Sequence, residues 1–266
     1  MTMMDERSAL NADPPSRIRP RHPLPRIGDG SIRTPMNRDD DKRLAALAAV
    51  EEVREGMVIG LGTGSTAAFA IDEIGRRCAA GLHIRAAATS KATEARARAA
   101  GIPLVPFEEI AALDLAIDGA DEIDPALRAI KGAGGAMLRE KIIATAARRM
   151  IVIADGSKRV EALGTAPVPV EILPFARSFV AAAIAAIGGV PTLRVAQSAP
   201  YRTDQDNMVL DCRFAVVGDP AALAARLSVI PGVLGHGLFV DEVDAVYFAD
   251  NGMVDRIERP VVIKSP

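Results

Sequence analysis

Four short stretches of this sequence combine glycines, hydroxyls, carboxylates and lysines at spacings that can do chemistry. The first, Gly60-Leu61-Gly62-Thr63-Gly64-Ser65-Thr66, follows an apolar run and precedes an Ala-rich one. Glycines let backbone N–H groups close on an anion, a helix N-terminus adds a positive field, and Ser65 and Thr66 bring hydroxyl donors. Gly62-x-Gly64-x-x-Ala67 also satisfies a dinucleotide fingerprint, which expects an acidic residue about 20 positions on. Ala88-Thr89-Ser90 occupy that place, and the first carboxylate beyond is Glu94. No Gly-Lys-Ser/Thr follows, so this is not a P-loop. A phosphate monoester site is expected, with a nicotinamide site and a purely structural turn as the alternatives.

The second stretch is Asp118-Gly119-Ala120-Asp121-Glu122-Ile123-Asp124, directly after an apolar run. In open α/β sheets such a position faces the ligand crevice. Its crowded carboxylates repel one another unless they meet hydroxyls, basic groups or a metal; a solvated acidic loop is the bland alternative. The EF-hand spacing is absent. The third is Lys131-Gly132-Ala133-Gly134-Gly135, running into a helix expected from Ala136 to about Arg149. Fixed N–H donors there suit a developing oxyanion, and Lys131 adds a positive charge. On a helical wheel Glu140 falls in the sector of Met137, Ile143, Ala144 and Ala147, whereas Lys141, Thr145 and Arg148 take another. A carboxylate in an apolar sector has its pKa raised by desolvation, which suits a general base; an exposed ion pair is the alternative. The fourth, Asp155-Gly156-Ser157-Lys158, also follows an apolar run, and Lys158 there can reach a phosphate held at a neighbouring strand end.

Elements that would position these groups are legible around them. Asp39-Asp40-Asp41 supply N-cap and first-turn carboxylates for a helix carrying Leu44, Leu47, Val50 and Val53 and stopping at Gly56. Apolar strands are expected at 57–61, 82–88, 102–105, 113–117 and 150–154, with helices between them. Continuous apolar strands alternating with helices indicate a doubly wound, Rossmann-like α/β parallel sheet. From Val168 the pattern becomes strand (168–172), helix to Gly188-Gly189, strand (208–217), helix from Pro220 and a further strand, a second, smaller α+β domain. A hairpin around Asn251-Gly252 closes the chain. The expected division is 39–167 plus 238–266 for the Rossmann-like domain and 168–237 for the small one.

Residues 1–38 differ in composition: six of the chain's 18 prolines lie between Pro14 and Pro35, interleaved with arginines. This tail is expected to be disordered, and it lacks the apolar core of a secretory signal.

The whole chain has 266 residues, 32 Lys plus Arg against 34 Asp plus Glu, and a formal charge of −2. This balance argues against a nucleic-acid binder. No apolar run is long enough for a membrane span. Cys78 and Cys212 are far apart, which fits a reducing, cytoplasmic compartment. His22, His83 and His236 have no ligand spacing, so no metal site is expected.

GLGTGSTA at 60–67, DGADEID at 118–124, KGAGGAMLREKIIA at 131–144 and IADGSK at 153–158, in this order and spacing, resemble ribose-5-phosphate isomerases of the A type. PVEILPFARS at 169–178 and IPGVLGHGLF at 230–239 extend the similarity more weakly. The resemblance covers essentially everything from Asp39 onward. It implies interconversion of D-ribose 5-phosphate and D-ribulose 5-phosphate through a cis-enediolate, in the non-oxidative pentose phosphate pathway, without metal or cofactor. It implies Thr63, Gly64, Ser65 and Thr66 as the sugar-phosphate loop. Asp118, Gly119, Ala120 and Asp121, with Lys131, Gly132, Ala133 and Gly134, become the two other substrate-binding stretches. Glu140 is implied as the catalytic base, assisted by Lys131, Asp121 and Asp118, and Lys158 as a further substrate-binding lysine. Lys42 matches an N-terminal lysine near the phosphate. The family's loop usually reads KGGGAA; if position 133 needs φ > 0, Ala133 distorts the loop, with Gly135 as compensation. A small-molecule substrate and a homodimer or homotetramer are implied, the small domain serving as interface. Sugar-phosphate deaminases or lactonases, and a sugar-phosphate sensor, are the other readings; a sensor needs a DNA-binding module that the proline-broken tail cannot form.

Overall fold

The computed structural model describes residues 17–18, 37–215 and 217–260. A two-residue strand β1 (Arg17–Ile18) is followed by α1 (Arg38–Val50), β2 (Val58–Leu61), α2 (Ser65–Ala79), β3 (Arg85–Ala88) and α3 (Lys91–Ala99). Next come β4 (Leu115–Asp118), β5 (Glu122–Ile123), β6 (Ala129–Ile130), α4 (Met137–Ala146) and β7 (Met150–Asp155). After them lie β8 (Val168–Ile172), α5 (Arg177–Ala186), β9 (Gly189–Leu193), β10 (Val195–Ala196), β11 (Ala199–Pro200) and β12 (Met208–Phe214). The chain continues with α6 (Pro220–Ser228), β13 (Val233–His236), β14 (Leu238–Phe239), β15 (Ala245–Asp250) and β16 (Met253–Glu258).

The main sheet has the order β1-β16-β15-β7-β4-β2-β3. Strands β3, β2, β4, β7 and β15 run parallel, while β16 and β1 are antiparallel additions at one edge. Every residue of β4 and of β7 is buried, as expected of strands covered on both faces. Ile151 and Ile153 point into the core beneath α1 and α2, whereas Val152 and Ala154 face Ile143 and Ala144 of α4 on the other side. The α/β class read from the sequence is therefore the observed one. From β2 the chain first adds β3 on one side and then crosses to β4 on the other. A crevice at the carboxyl ends of β2 and β4 is the consequence of that reversal.

A four-stranded antiparallel sheet, β13-β8-β12-β9, is built from residues between 168 and 236, with α5 and α6 packed on Val170, Ile172, Leu210 and Cys212. Its β-α-β-β-α-β order contains one strand more than the pattern indicated. The extra strand is β9, directly after the glycine pair, where Pro191 reads as a strand breaker but is tolerated because β9 is an edge. A small sheet, β14-β6-β5, lies beside the acidic loop.

Other boundaries differ from the sequence reading: α1 ends at Val50 rather than at Gly56, and the strands expected at 82–88 and 208–217 span only Arg85–Ala88 and Met208–Phe214. Residues 102–105 form only an isolated bridge, Ala86 to Leu104, because Pro103 has no N–H to extend a ladder. Helix α4 stops at Ala146 rather than Arg149, since Ala147 turns extended (φ −80°, ψ 137°) and bridges Leu113 on the way into β7. Helix α1 starts at Arg38, inside the expected tail: Asn37 is its N-cap, accepting from Asp39 N at 2.8 Å and Asp40 N at 2.9 Å. Asp40 returns a bond to Asn37 N at 3.2 Å, a capping box, so the three aspartates fill the first turn and not the cap. Arg17 and Ile18, also within that tail, pair with Ile257 and Arg256 of β16. The rest of the disorder expectation, 1–16 and 19–36, falls outside the described residues.

Candidate active site

Three of the four chemical stretches sit at the ends of parallel strands, and the fourth, 131–135, follows β6 of the small antiparallel sheet. The loop 62–64 leaves β2, the acidic loop leaves β4 and Asp155 ends β7. Gly64 takes φ 111° as the residue before α2, and no side chain caps that helix, so its first N–H groups are open to an anion. Gly62 must be a glycine: a Cβ there would lie 2.0 Å from Asp118 Oδ1. The tight approach lets Thr63 N donate to Asp118 Oδ1 at 3.0 Å, fixing the two loops together.

The hydroxyl of Thr63 is taken up by the residues that follow β3. It meets Thr89 at 2.7 Å, Ser90 at 2.8 Å and Thr93 at 3.0 Å, while Thr93 donates to Gly62 O at 2.8 Å. Thr89 and Ser90, which hold the place where a dinucleotide site carries its ribose-binding acid, thus brace the 62–64 loop. The nicotinamide alternative finds no carboxylate at that position.

Beside this loop lies a buried charge cluster. Lys131 Nζ is 2.8 Å from Asp118 Oδ2 and 3.2 Å from Glu140 Oε2, and it also donates to Gly119 O. Lys131 and Asp118 are each 2% exposed and Glu140 4%. Phe239 backs the cluster, its ring centre 5.3 Å from Lys131 Nζ and 4.0 Å from Lys141 Nζ. Two carboxylates share one ammonium, so one negative charge is left over in a dry place. Burial pushes the Glu140 carboxyl up, Lys131 opposes that, and Asp118 and Asp121 add to it, leaving Glu140 at about 8. The two carboxylates hold the Lys131 ammonium well above its usual range, against the pull of burial. Glu140 is sheltered among apolar residues rather than paired at the surface, as its place on the helical wheel indicated.

The glycine loop arches over this cluster. Gly132 and Gly135 carry the positive φ values, 103° and 79°, whereas Ala133 does not. An alanine at 133 therefore costs the loop nothing in backbone strain. Ala133 N donates to Asp121 Oδ2 at 2.9 Å, and Gly135 N to Gly132 O at 2.9 Å.

Together these parts enclose a cavity of about 270 Å³. Thr63, Gly64, Ser65, Thr66, Gly119, Ala120, Asp121, Lys131, Gly132, Ala133, Gly134, Glu140 and Lys158 all line it. Asp118 is the one expected site residue outside the lining; it lies beneath, bonded to Lys131 and Thr63. Lys42 is at the cavity wall too, and so are Arg38, Asp155 and Ser157. Arg38 escaped the sequence reading because it was counted with the tail; the Asn37-x-x-Asp40 capping box was the signal available. Asp155 stays below the rim, accepting from Ser157 N at 3.0 Å. Arg38, Lys42, Lys158 and the N-terminus of α2 all line this cavity, a set that suits a phosphate. The same lining holds Glu140, a buried carboxyl of raised pKa beside the Lys131 ammonium, which suits proton transfer next to a developing oxyanion.

Comparison with known proteins places this geometry. The sequence model for ribose 5-phosphate isomerase A (phosphoriboisomerase A) matches residues 85–252. A ribose-5-phosphate isomerase A of Sphingopyxis alaskensis is 52% identical over 215 residues, covering 81% of this chain and 94% of its own. The chain belongs to the ribose 5-phosphate isomerase A family. Solved structures agree. A D-ribose-5-phosphate isomerase in complex with phospho-erythronic acid is 36% identical at TM-score 0.82, covering 84% of this chain and all (100%) of that one. The isomerase of Methanocaldococcus jannaschii is 38% identical at TM-score 0.80, covering 83% of this chain and 99% of its own. The four sequence motifs thus belong to an isomerase family, as their resemblance implied.

Proposed function

We propose that this chain interconverts D-ribose 5-phosphate and D-ribulose 5-phosphate, with Glu140 moving the proton between C2 and C1. The observation that carries this reading is the buried trio Asp118, Lys131 and Glu140 at a cavity that Arg38, Lys42, Lys158 and the start of α2 also line. The phosphate would sit on the Gly64–Thr66 turn with Arg38, Lys42 and Lys158 around it. Asp121 faces the sugar and assists ring opening by taking and returning a hydroxyl proton. In the open chain, Glu140 removes the C2 proton, and the C2–H electron pair forms the C1–C2 double bond while the carbonyl pair moves onto O1. Lys131 and the glycine-loop N–H groups stabilise that enediolate. Glu140 then returns the proton to C1, while O2 passes its own proton to O1, so that O2 becomes the ketone oxygen and O1 the C1 hydroxyl. A single carboxylate on one face of a planar cis-enediolate reaches both carbons, so one base suffices.

The related structure that holds phospho-erythronic acid supports the reading. A phosphate at one end and a planar anionic carboxylate at the other are the features an enediolate phosphate presents. The small sheet 168–237 as a separate domain and subunit interface of a homodimer or homotetramer, and a cytoplasmic place in the non-oxidative pentose phosphate pathway, belong to the same proposal.

A coupled assay with ribose 5-phosphate, run with and without a chelator, tests it directly. Turnover insensitive to chelator is expected; no turnover, or turnover lost on chelation, contradicts the proposed chemistry.

A further inference from the structure

The glycine loop is gripped from behind by the four-stranded sheet. Arg194 follows β9, and its Nη1 donates to Gly132 O and to Ala133 O, each at 3.0 Å. Tyr201 Oη donates to the next carbonyl, Gly134 O, at 3.2 Å. Three successive carbonyls are thus held on the side away from the cavity.

A trans peptide points its N–H opposite its C=O. Fixing the carbonyl of Gly132 therefore aims Ala133 N–H at Asp121, which accepts it at 2.9 Å. Fixing the carbonyl of Ala133 aims Gly134 N–H the same way, and Gly134 lines the cavity. Fixing the carbonyl of Gly134 leaves Gly135 N–H to close the turn on Gly132 O.

The grip is itself stiff. Arg194 forks onto Asp211 of β12, with Nε donating to Oδ2 at 2.9 Å and Nη2 to Oδ1. Tyr201 N donates to Arg194 O at 2.9 Å, which pairs the two residues across the base of the β10–β11 hairpin. The arginine stacks toward the tyrosine ring, 5.7 Å from its centre. Gly135 has no room for a side chain, since a Cβ would meet Tyr201 Oη at 2.3 Å.

We infer that Arg194 and Tyr201 are positioning residues for the isomerase reaction: they hold the 132–134 peptides so that the Gly134 N–H meets the enediolate oxygen and the Ala133 N–H fixes Asp121. Neither touches the substrate. This rests on the isomerase reading given above, because an oxyanion must develop for the donors to matter. A guanidinium on the carbonyl side of two peptides also polarises their N–H groups toward the anion, an effect a neutral replacement loses.

The test uses the full chain with Arg194→Met, Arg194→Lys and Tyr201→Phe. Two inhibitors serve as probes: phospho-erythronic acid, with an anionic head, and ribitol 5-phosphate, with a neutral one. Misaligned donors are expected to lower kcat about 10- to 100-fold in Arg194→Met, with KM changed less than about twofold. The inhibition constant for phospho-erythronic acid should rise in step with the loss of kcat, while that for ribitol 5-phosphate stays put. Arg194→Lys recovers only part of kcat, because an ammonium cannot hold both carbonyls and the Asp211 fork together. Tyr201→Phe removes one hydroxyl from the surface of a folded domain and shows the same split more weakly, about three- to tenfold; it decides the matter if Arg194→Met does not fold. An equal loss for both inhibitors, or no loss for either, overturns the inference. Failure of the underlying reading is separate: the unaltered protein would then not isomerise ribose 5-phosphate at all.

Discussion

Glu140 and Asp118 share the single ammonium of Lys131, and this uneven count sets the behaviour of the site at the residue scale. Ionising Glu140 adds a second negative charge to a buried place with one positive charge, so its carboxyl holds its proton up to about 8. With the ionised form as the base, kcat/KM is expected to rise with pH and level off above an apparent pKa near 8. A profile flat from weakly acidic to weakly alkaline pH, measured by coupled assay, contradicts that assignment. Stability follows the same group with a definite sign. Its ionisation point lies above the ordinary 4.5, so its favourable contribution is complete below 4.5 and is lost as pH rises through about 8. Glu140→Gln has no charge to bury. Its melting temperature should therefore gain on the unaltered protein between acidic and alkaline pH, by an amount worth on the order of a few kcal/mol. Melting curves that keep a constant offset across that range refute the burial argument. The glutamate was legible in the sequence because helical periodicity placed it among apolar residues. Its partnership with Lys131 across a loop was legible only through the family pattern.

At the scale of elements, two glycines do what the sequence left open for the alanine. Gly132 and Gly135 take the left-handed conformations, so Ala133→Gly is expected to leave kcat within about twofold, with only the small stability cost of a looser chain. Gly135→Ala meets both a strained φ of 79° and the Tyr201 hydroxyl, and should lose activity by tenfold or more. Steady-state kinetics on the two variants separates these cases; similar losses in both would place the strain elsewhere. The motifs were readable because glycine and acidic clusters at strand ends stand out against apolar strands. The residues that hold them were not. Arg194, Tyr201 and Asp211 lie in ordinary polar sequence 60 to 80 positions away, and only the packing of the four-stranded sheet brings them to the loop. Local pattern also failed where a proline altered a strand's status, as at Pro103 and Pro191, since edge position and missing donors depend on neighbours the pattern does not contain.

Across the whole molecule, the crevice follows from topology: β2 lies between β3 and β4, and the loops after β2, β4 and β7 emerge from the same end of the sheet. This much could be expected from alternating apolar strands and helices. What could not be expected was that the cavity lining begins at Arg38, in a helix capped by Asn37. Removing residues 1–36 should leave kcat and KM close to those of the full chain. Removing 1–38 also deletes the cap of α1, worth about 0.5–2 kcal/mol, and one cation of the cavity lining. KM for ribose 5-phosphate should rise several-fold in the longer truncation alone. Equal KM values in the two truncations would take Arg38 out of substrate binding.

Isomerisation in heavy water reads the central step itself. In D2O the enzyme should place solvent deuterium at C1 of ribulose 5-phosphate, as followed by proton NMR, because the hydrogen taken by Glu140 exchanges before it is returned. Glu140→Gln, still able to bind phospho-erythronic acid, should slow that incorporation by at least ~10²-fold. Incorporation at close to the normal rate in the variant would contradict the account.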